Sequence, residues 1–473
     1  MIRKISILLF LSLFSLTLSA QITPDSSGRW LVSKHDGQPF FWLGDTGWEL
    51  FHRLDRDEAV HYLKTRSSQG FNVILSVALA EVDGIRTPNR YGDVPFSDLE
   101  TLAWDITPGN DSGDPAQYDY WDHVDFVIRE AEKRKMYIGL LPTWGDKVVP
   151  GATGPVIFTN EERAYHYAKK LAERYKDQWN IIWILGGDRQ SVEHKNNRIT
   201  ADYRPIWRAM AQAIEETCGK DAFIAYHPRG GSSTSRNLQQ EAWLDMHAIQ
   251  SSHGSREVRV WNQIADDLKR TPSRPVMDME PCYEDHPVNP WDGRWTRSER
   301  GYFDDYDVRA RIYRAVFAGG CGTVYGHHQV WQFVDTTRNA PIWVGDTIIG
   351  WKKALEAKAA NQIHHLKELM LSRSDFDRVM DHSLIASERG SNYTDEIIAT
   401  RNRESSYAMI YLPQPLPVTV NLQQLKSGRR VVTWFNPVSG KKKKVRGRYK
   451  AEQETFTPPS SSQRDWVLLI DVK

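Results

Sequence analysis

The sequence predicts an α/β protein: a (β/α)8 TIM barrel followed by a small C-terminal β-sandwich. Three observations carry this. Apolar strand-like runs alternate with helical segments eight times over roughly 330 residues, the rhythm of repeated βα units. Most of those runs are apolar on both faces, as parallel strands covered by helices must be. From about residue 376 the rhythm changes to short strand-like runs separated by Gly, Pro and Ser. A doubly wound open sheet shares the alternation, but it usually offers a Gly-rich phosphate loop, and neither GxGxxG nor a P-loop occurs.

The elements follow in order. GRWLVSKHDGQPFFWLG places two apolar runs about Asp36-Gly37, a hairpin turn pair. FFWLGD (40–45) reads as the first barrel strand, and 55–70 as a helix with Asp55 as N-cap, Glu58 three residues on and Gly70 as stop. The strand 71–79 precedes the helix 118–135, which aligns Trp121, Val124, Ile128 and Ala131 on one face. Strand 136–142, helix 161–175, strand 180–188, helix 203–217 and strand 222–228 continue the series. A weaker helix leads to strand 244–253; helix 257–270, strand 274–281, helix 305–319, strand 322–328 and a last helix over about 351–371 complete it. HSLIAS, EIIATRN, SYAMIYL, VTVNL, RVVTWFNP and DWVLLIDV are the expected sandwich strands. GKKKKVRGR (440–448) follows Asn436-Pro437 in an expected hairpin; it reads as a solvated edge that discourages strand pairing, or as a contact for an acidic polymer.

At the N-terminus, Arg3 and Lys4 precede the apolar run ISILLFLSLFSLTL, and Leu18-Ser19-Ala20 ends in a small residue. That is the pattern of a signal peptide over 1–20, too short for a bilayer span. The expected layout is therefore 1–20 signal peptide, 21–372 barrel and 373–473 sandwich, in an exported, periplasmic or extracellular monomer without membrane insertion. A net charge of +1 gives no global field for nucleic acid. Three distant cysteines, Cys218, Cys282 and Cys321, argue against a disulfide scaffold or a zinc site. The 18 Trp and 19 Tyr suit stacking on sugar rings as well as cores.

In such a barrel the chemistry sits where strands end and βα loops begin. The first strand offers Asp45, then Trp48 and His52; the second Glu81 and Asp83; the third Trp144, Asp146 and Lys147. The fourth ends in Gly186-Gly187-Asp188-Arg189, the fifth in His227, the sixth in His253, and the seventh in Glu280, with Tyr283, Glu284, Asp285 and His286 beyond it. The eighth offers Tyr325, His327, His328 and then Trp331. Asp188 and Glu280 would face each other across the barrel mouth, the two carboxyl groups of a glycosidase. One protonates the leaving oxygen; the other attacks the anomeric carbon or activates water. Glu284 is the main rival of Glu280. The two glycines before Asp188 would let substrate approach the backbone. Lacking HExxH or an HxH at the first strand, the histidines read as hydrogen-bonding groups, so no metal or other cofactor is expected.

The segments FFWLGDTGWELFHRL, QGFNVILSVALAEVDG, IGLLPTWGDK, IIWILGGDR, AYHPRGGSS, PVMDMEPCYEDHP, GYFDDYDVRARIYRAVFAG and YGHHQVWQF resemble glycoside hydrolase family 140, the apiosidase family, from about residue 27 to 360. The tail resembles a sandwich known in such hydrolases as a collagen-binding domain. The resemblance implies cleavage of the bond between apiose and galacturonic acid in the plant pectin rhamnogalacturonan II, with catalytic carboxylates in the ILGGD and DxEP motifs, here Asp188 and Glu280. Met279 stands where the family usually has Gly. Asp45, Trp48, His52, Glu81, Trp144, Asp146, Lys147, Arg189, His227, His253, Glu284 and Trp331 are expected to bind substrate, with Lys147 and Arg189 suited to galacturonate. Another pectic or furanosidic linkage, or a non-catalytic carbohydrate-binding protein, are the alternatives; fold alone never fixes a substrate.

Overall fold

The structure, a computed structural model, describes residues 22–151, 154–338, 346, 348–373 and 377–473. The expected signal peptide over 1–20 lies outside them. Eight barrel strands follow in chain order: β1 (Trp42–Thr46), β2 (Val73–Val77), β3 (Tyr137–Leu141), β4 (Ile181–Gly186), β5 (Ile224–His227), β6 (His247–Gln250), β7 (Val276–Asp278) and β8 (Gly322–Tyr325). Every residue in them is buried, which is why none shows a polar alternation. The strands β8, β1, β2, β3, β4 and β5 form one parallel sheet, and β6 pairs with β7 in parallel. Two seams join these parts. At β5/β6 the Asp245 N–H donates to Ile224 O at 2.9 Å; at β7/β8 the Cys321 N–H donates to Val276 O at 2.9 Å.

The helices that cover the barrel are α1 (Arg56–Ser68), α2 (Tyr120–Lys133), α3 (Glu161–Tyr175), α4 (Arg204–Cys218), α5 (Val260–Asp267), α6 (Asp305–Phe317) and α7 (His364–Leu371). The capping box read at α1 is present: the Glu58 N–H donates to Asp55 Oδ1 at 2.9 Å, and the Asp55 N–H to Glu58 Oε2 at 3.4 Å. Two expected helices differ. Between β5 and β6 there is only the single turn Ser235–Leu238, beside a short antiparallel strand, Ser232–Ser233, on β6. The helix read over 351–371 breaks into Trp351–Ala354, the 3-10 turn Ala359–Asn361 and α7. Hairpins in the βα loops, Phe96–Asp98 with Ala103–Trp104 and Val192–Lys195 with Arg198–Asp202, were not expected.

The sandwich contains β9 (Arg378–Met380), β10 (Ile398–Asn402), β11 (Tyr407–Leu412), β12 (Val418–Asn421), β13 (Arg430–Phe435), β14 (Lys442–Val445), β15 (Gln453–Phe456) and β16 (Trp466–Val472). One antiparallel sheet runs β9-β10-β11-β16-β13-β14; β12 and β15 pair separately. The HSLIAS segment is a 3-10 turn at His382–Leu384 rather than a strand. The lysine-rich stretch is β14, the edge of its sheet, joined to β13 by a hairpin in which Gly440 holds a φ of +65°. Among the described residues no helix is long and apolar enough to cross a membrane.

The sandwich shares α6 with the barrel. Tyr306 through Phe317 are all buried. Arg309 forms a forked pair with Asp465 at 2.9 and 2.8 Å, and the Tyr306 hydroxyl donates to Pro413 O at 2.7 Å. Tyr313 stacks on Tyr411 with centroids 5.3 Å apart.

Candidate active site

A cavity of about 530 Å³ opens at the carboxyl ends of the barrel strands. Asp188 and Glu280 both line it. Asp188 follows β4 with a φ of +50°, a strained backbone for a residue with a side chain. The glycines before it have φ of +87° and +111°. A Cβ on Gly186 would sit 2.4 Å from His227 O, and one on Gly187 would sit 2.7 Å from the Trp144 ring. The glycines therefore make room for the β5 backbone and for the Trp144 ring at the cavity wall.

Glu280 lies two residues beyond β7 and is held by two imidazoles. His253 Nε2 hydrogen-bonds Oε1 at 3.0 Å, and His227 Nε2 lies 2.9 Å from Oε2. The far nitrogen of each ring accepts a backbone N–H: Asp188 N–H to His227 Nδ1 at 3.3 Å, and Tyr283 N–H to His253 Nδ1 at 3.2 Å. An accepting Nδ1 leaves the proton on Nε2, so both neutral rings can present an N–H to the carboxylate. Burial would raise the Glu280 pKa, but the hydrogen bonds from His227 and His253 outweigh it and hold the carboxyl down at about 2.

Asp188 behaves oppositely. Burial, then the negative charge of Glu280, push its pKa up against the pull of Arg189. Arg189 Nη1 lies 3.2 Å from Asp188 Oδ2, and the Gly230 N–H reaches Oδ1 at 3.4 Å. One carboxyl pushed upward beside one held down is the direction of division that acid-assisted displacement requires. A third carboxyl, Glu81, borders the cavity, and burial followed by the charges of Asp188, Asp146 and Glu49 push it up to about 8.

Aromatic rings frame these groups. Trp48, Trp144 and Trp331 line the cavity while almost fully buried, and Trp291 stands 43% exposed at its rim. The Trp48 Nε1–H donates to the Tyr283 hydroxyl at 3.0 Å, and the His253 ring stacks on His286 at 4.2 Å.

The structure thus gathers Trp48, Glu81, Trp144, Asp188, Arg189, His253, Glu280 and Trp331 around one cavity. Six residues expected to bind substrate do not line it. Asp45 is fully buried, 2.7 Å from Arg66 Nε and 2.5 Å from the Tyr62 hydroxyl. Asp146 and Lys147 are fully buried as a 2.8 Å ion pair, and the Lys147 ammonium also donates to Ala80 O, so it cannot reach a galacturonate. His52 bonds Glu49 at 2.7 Å and borders an adjoining cavity. His227 sits fully buried behind Glu280. Glu284, the rival of Glu280, accepts from the Tyr325 hydroxyl at 2.8 Å and the Ala359 N–H at 3.1 Å. Gln250, Ser252 and Trp291 line the cavity but were not expected. Gln250 ends β6, three residues before the strand end read from sequence; Trp291 lies in the 3-10 turn Pro290–Asp292, too short for any periodicity to place it. Among the described residues the one cluster with metal-ligand spacing, His364, His365 and Glu368, includes no cavity residue.

Comparison with known proteins places the chain among glycoside hydrolases. The family described as "Apiosidase-like, catalytic domain" matches residues 25–377, and "Putative collagen-binding domain of a collagenase" matches 379–471. A solved structure titled "Glycoside hydrolase" is 31% identical, with a TM-score of 0.82, over 96% of this chain and 97% of that one. A family 5 glycoside hydrolase from Bacteroides vulgatus ATCC 8482 is also 31% identical, with a TM-score of 0.81, over 96% of this chain and 93% of that one. Comparison with the curated proteins finds no match.

Proposed function

The chain belongs to the apiosidase-like family, among glycoside hydrolases, and on that premise we propose that it cleaves the apiose–galacturonic acid linkage of rhamnogalacturonan II as a family 140 enzyme. The observation that carries the glycosidase chemistry is that two carboxyls, Asp188 beyond β4 and Glu280 beyond β7, line one cavity at the carboxyl ends of the strands, with Glu280 held by two imidazoles. The linkage itself rests on family likeness.

In the proposed mechanism, Asp188 donates its proton to the glycosidic oxygen as that bond breaks. A Glu280 carboxylate oxygen bonds to the anomeric carbon, and the His227 and His253 N–H groups release their hold on its charge as the ester forms. Asp188, now the anion, then takes a proton from water, whose oxygen displaces Glu280. Configuration is retained, which requires the carboxyls about 5–5.5 Å apart. Trp144, Trp291 and Trp331 are proposed to stack on sugar rings, and Arg189 to pair with a galacturonate carboxylate. The working enzyme is proposed to be an exported monomer in the periplasm or medium.

Incubation of the mature protein with rhamnogalacturonan II, followed by product analysis, tests this. Native enzyme is expected to release oligosaccharides with apiose at the reducing end, while Asp188→Ala and Glu280→Ala lose at least 10²-fold in rate. Intact pectin after incubation with native enzyme would overturn the linkage.

A further inference from the structure

A second large cavity lies in the sandwich, of about 660 Å³, within the range of ligand sites. Its wall carries six cations: Arg429, Arg430, Lys444, Arg446, Arg448 and Lys450. No Asp or Glu lines it, and no ion pair among the described residues involves any of the six. Residues 428–450 hold nine Lys and Arg and no acid, so on a chain of net charge +1 the remaining residues sum to −8. The positive charge is thus concentrated in one place on an otherwise acidic molecule.

Protection of an exposed sheet edge explains only part of this. Lysines on β14 suffice to discourage pairing. Arg430 instead opens the neighbouring β13, with Arg429 just before it, and Arg446, Arg448 and Lys450 lie beyond β14 in the loop. Arg430 is fixed there, donating to Tyr449 O at 2.8 Å and Leu422 O at 3.0 Å. Like charges converging on a concavity repel one another, and an anionic ligand relieves that repulsion. Four of the six are guanidinium groups, whose planar fork matches a carboxylate. A lone, half-buried Tyr449 is the cavity's one aromatic, so a stacking platform for nucleobases is absent from its lining.

We propose that this cavity of the sandwich docks a polysaccharide bearing carboxylate groups, a uronate-rich chain, and so holds the barrel on its polymer. Carboxylates are expected to meet the guanidinium groups while the lysines supply charge at the rim. The choice of a uronate chain over other polyanions rests on the pectic substrate proposed above.

Affinity electrophoresis of the full chain through gels containing polygalacturonate, neutral galactan or duplex DNA tests the proposal. Native protein is expected to be retarded by polygalacturonate alone, the effect falling with added salt. The combined variant Lys444→Ala/Arg446→Ala/Arg448→Ala is expected to bind at least tenfold more weakly, with unchanged melting temperature and unchanged kcat/KM on a short soluble side-chain oligosaccharide. A second variant, Lys441→Ala/Lys442→Ala, thins the edge charge outside the cavity and should bind as native protein does. Equal retardation by DNA, no retardation by polygalacturonate, or native-like binding by the triple variant would each overturn the proposal. Binding to polygalacturonate without cleavage of any pectin keeps the docking cavity and removes the catalytic reading, so the two fail separately.

Discussion

Glu81 is the residue whose protonation the pocket constrains most plainly. Its carboxyl is pushed up to about 8, so folding favours its protonated form. A raised carboxyl contributes stability that is fully present below its unfolded pKa, near 4.3, and is lost as pH rises towards 8. At neutral pH this amounts to about 3 kcal/mol of lost stability. Glu81→Gln is therefore expected to melt higher than native protein at pH 7 and the same at pH 4, checked by calorimetry at both; an equal shift at both would remove ionisation as the cause. Sequence made Asp188 and Glu280 legible because a strand's last residues in a barrel point at the mouth. It did not make depth legible. Asp45 lies inside β1, and Asp146 and Lys147 sit in a buried 3-10 turn after β3, so acids close to strand ends became structural pairs. No single-residue signal distinguishes those cases, because the partners, Arg66 in α1 above all, come from distant positions.

At the scale of elements, the eight barrel strands were all read from the sequence, while β9, β15 and the connections were not. Uniformly apolar runs such as IIWILG announce buried strands, whereas the segment between β5 and β6 holds too few apolar repeats for a helix and folds as a turn and a short strand. The helix α6 was read correctly as a helix, but its arginines look like a solvated face. They are buried: Arg309 pairs with Asp465, Arg311 donates to Ser252 O and Ser255 O at 2.7 Å each, and Arg314 lies over the Trp261 ring at 4.8 Å. Side-chain fate of this kind depends on what packs outside the helix, which local pattern does not encode. The two seams carry a prediction at this scale. Continuous ladders protect β2 and β3 on both sides, while β6 and β7 meet their outer neighbours through isolated bonds. Amide exchange is expected to be faster in β6 and β7 than in β2 and β3, measured by mass spectrometry on native protein; uniform protection around the barrel would contradict it.

The whole molecule is joined through α6. Removing one partner of a buried forked pair leaves the other charge stranded, at a cost of about 3–5 kcal/mol. Asp465→Ala, a change in the sandwich, is thus expected to lower the melting temperature of barrel and sandwich together in one transition; two separated transitions in native protein would refute the coupling. The shared helix has a consequence for how such chains diversify. A module on a flexible tether can be traded for another by recombination at the tether. Here any replacement tail would have to bring its own counterpart to Arg309 and its own ring for Tyr313, or leave the sandwich-facing side of α6 without a cover. Exchange of the tail is therefore expected to demand compensating changes on α6, whereas changes in loops and cavity walls leave that joint intact.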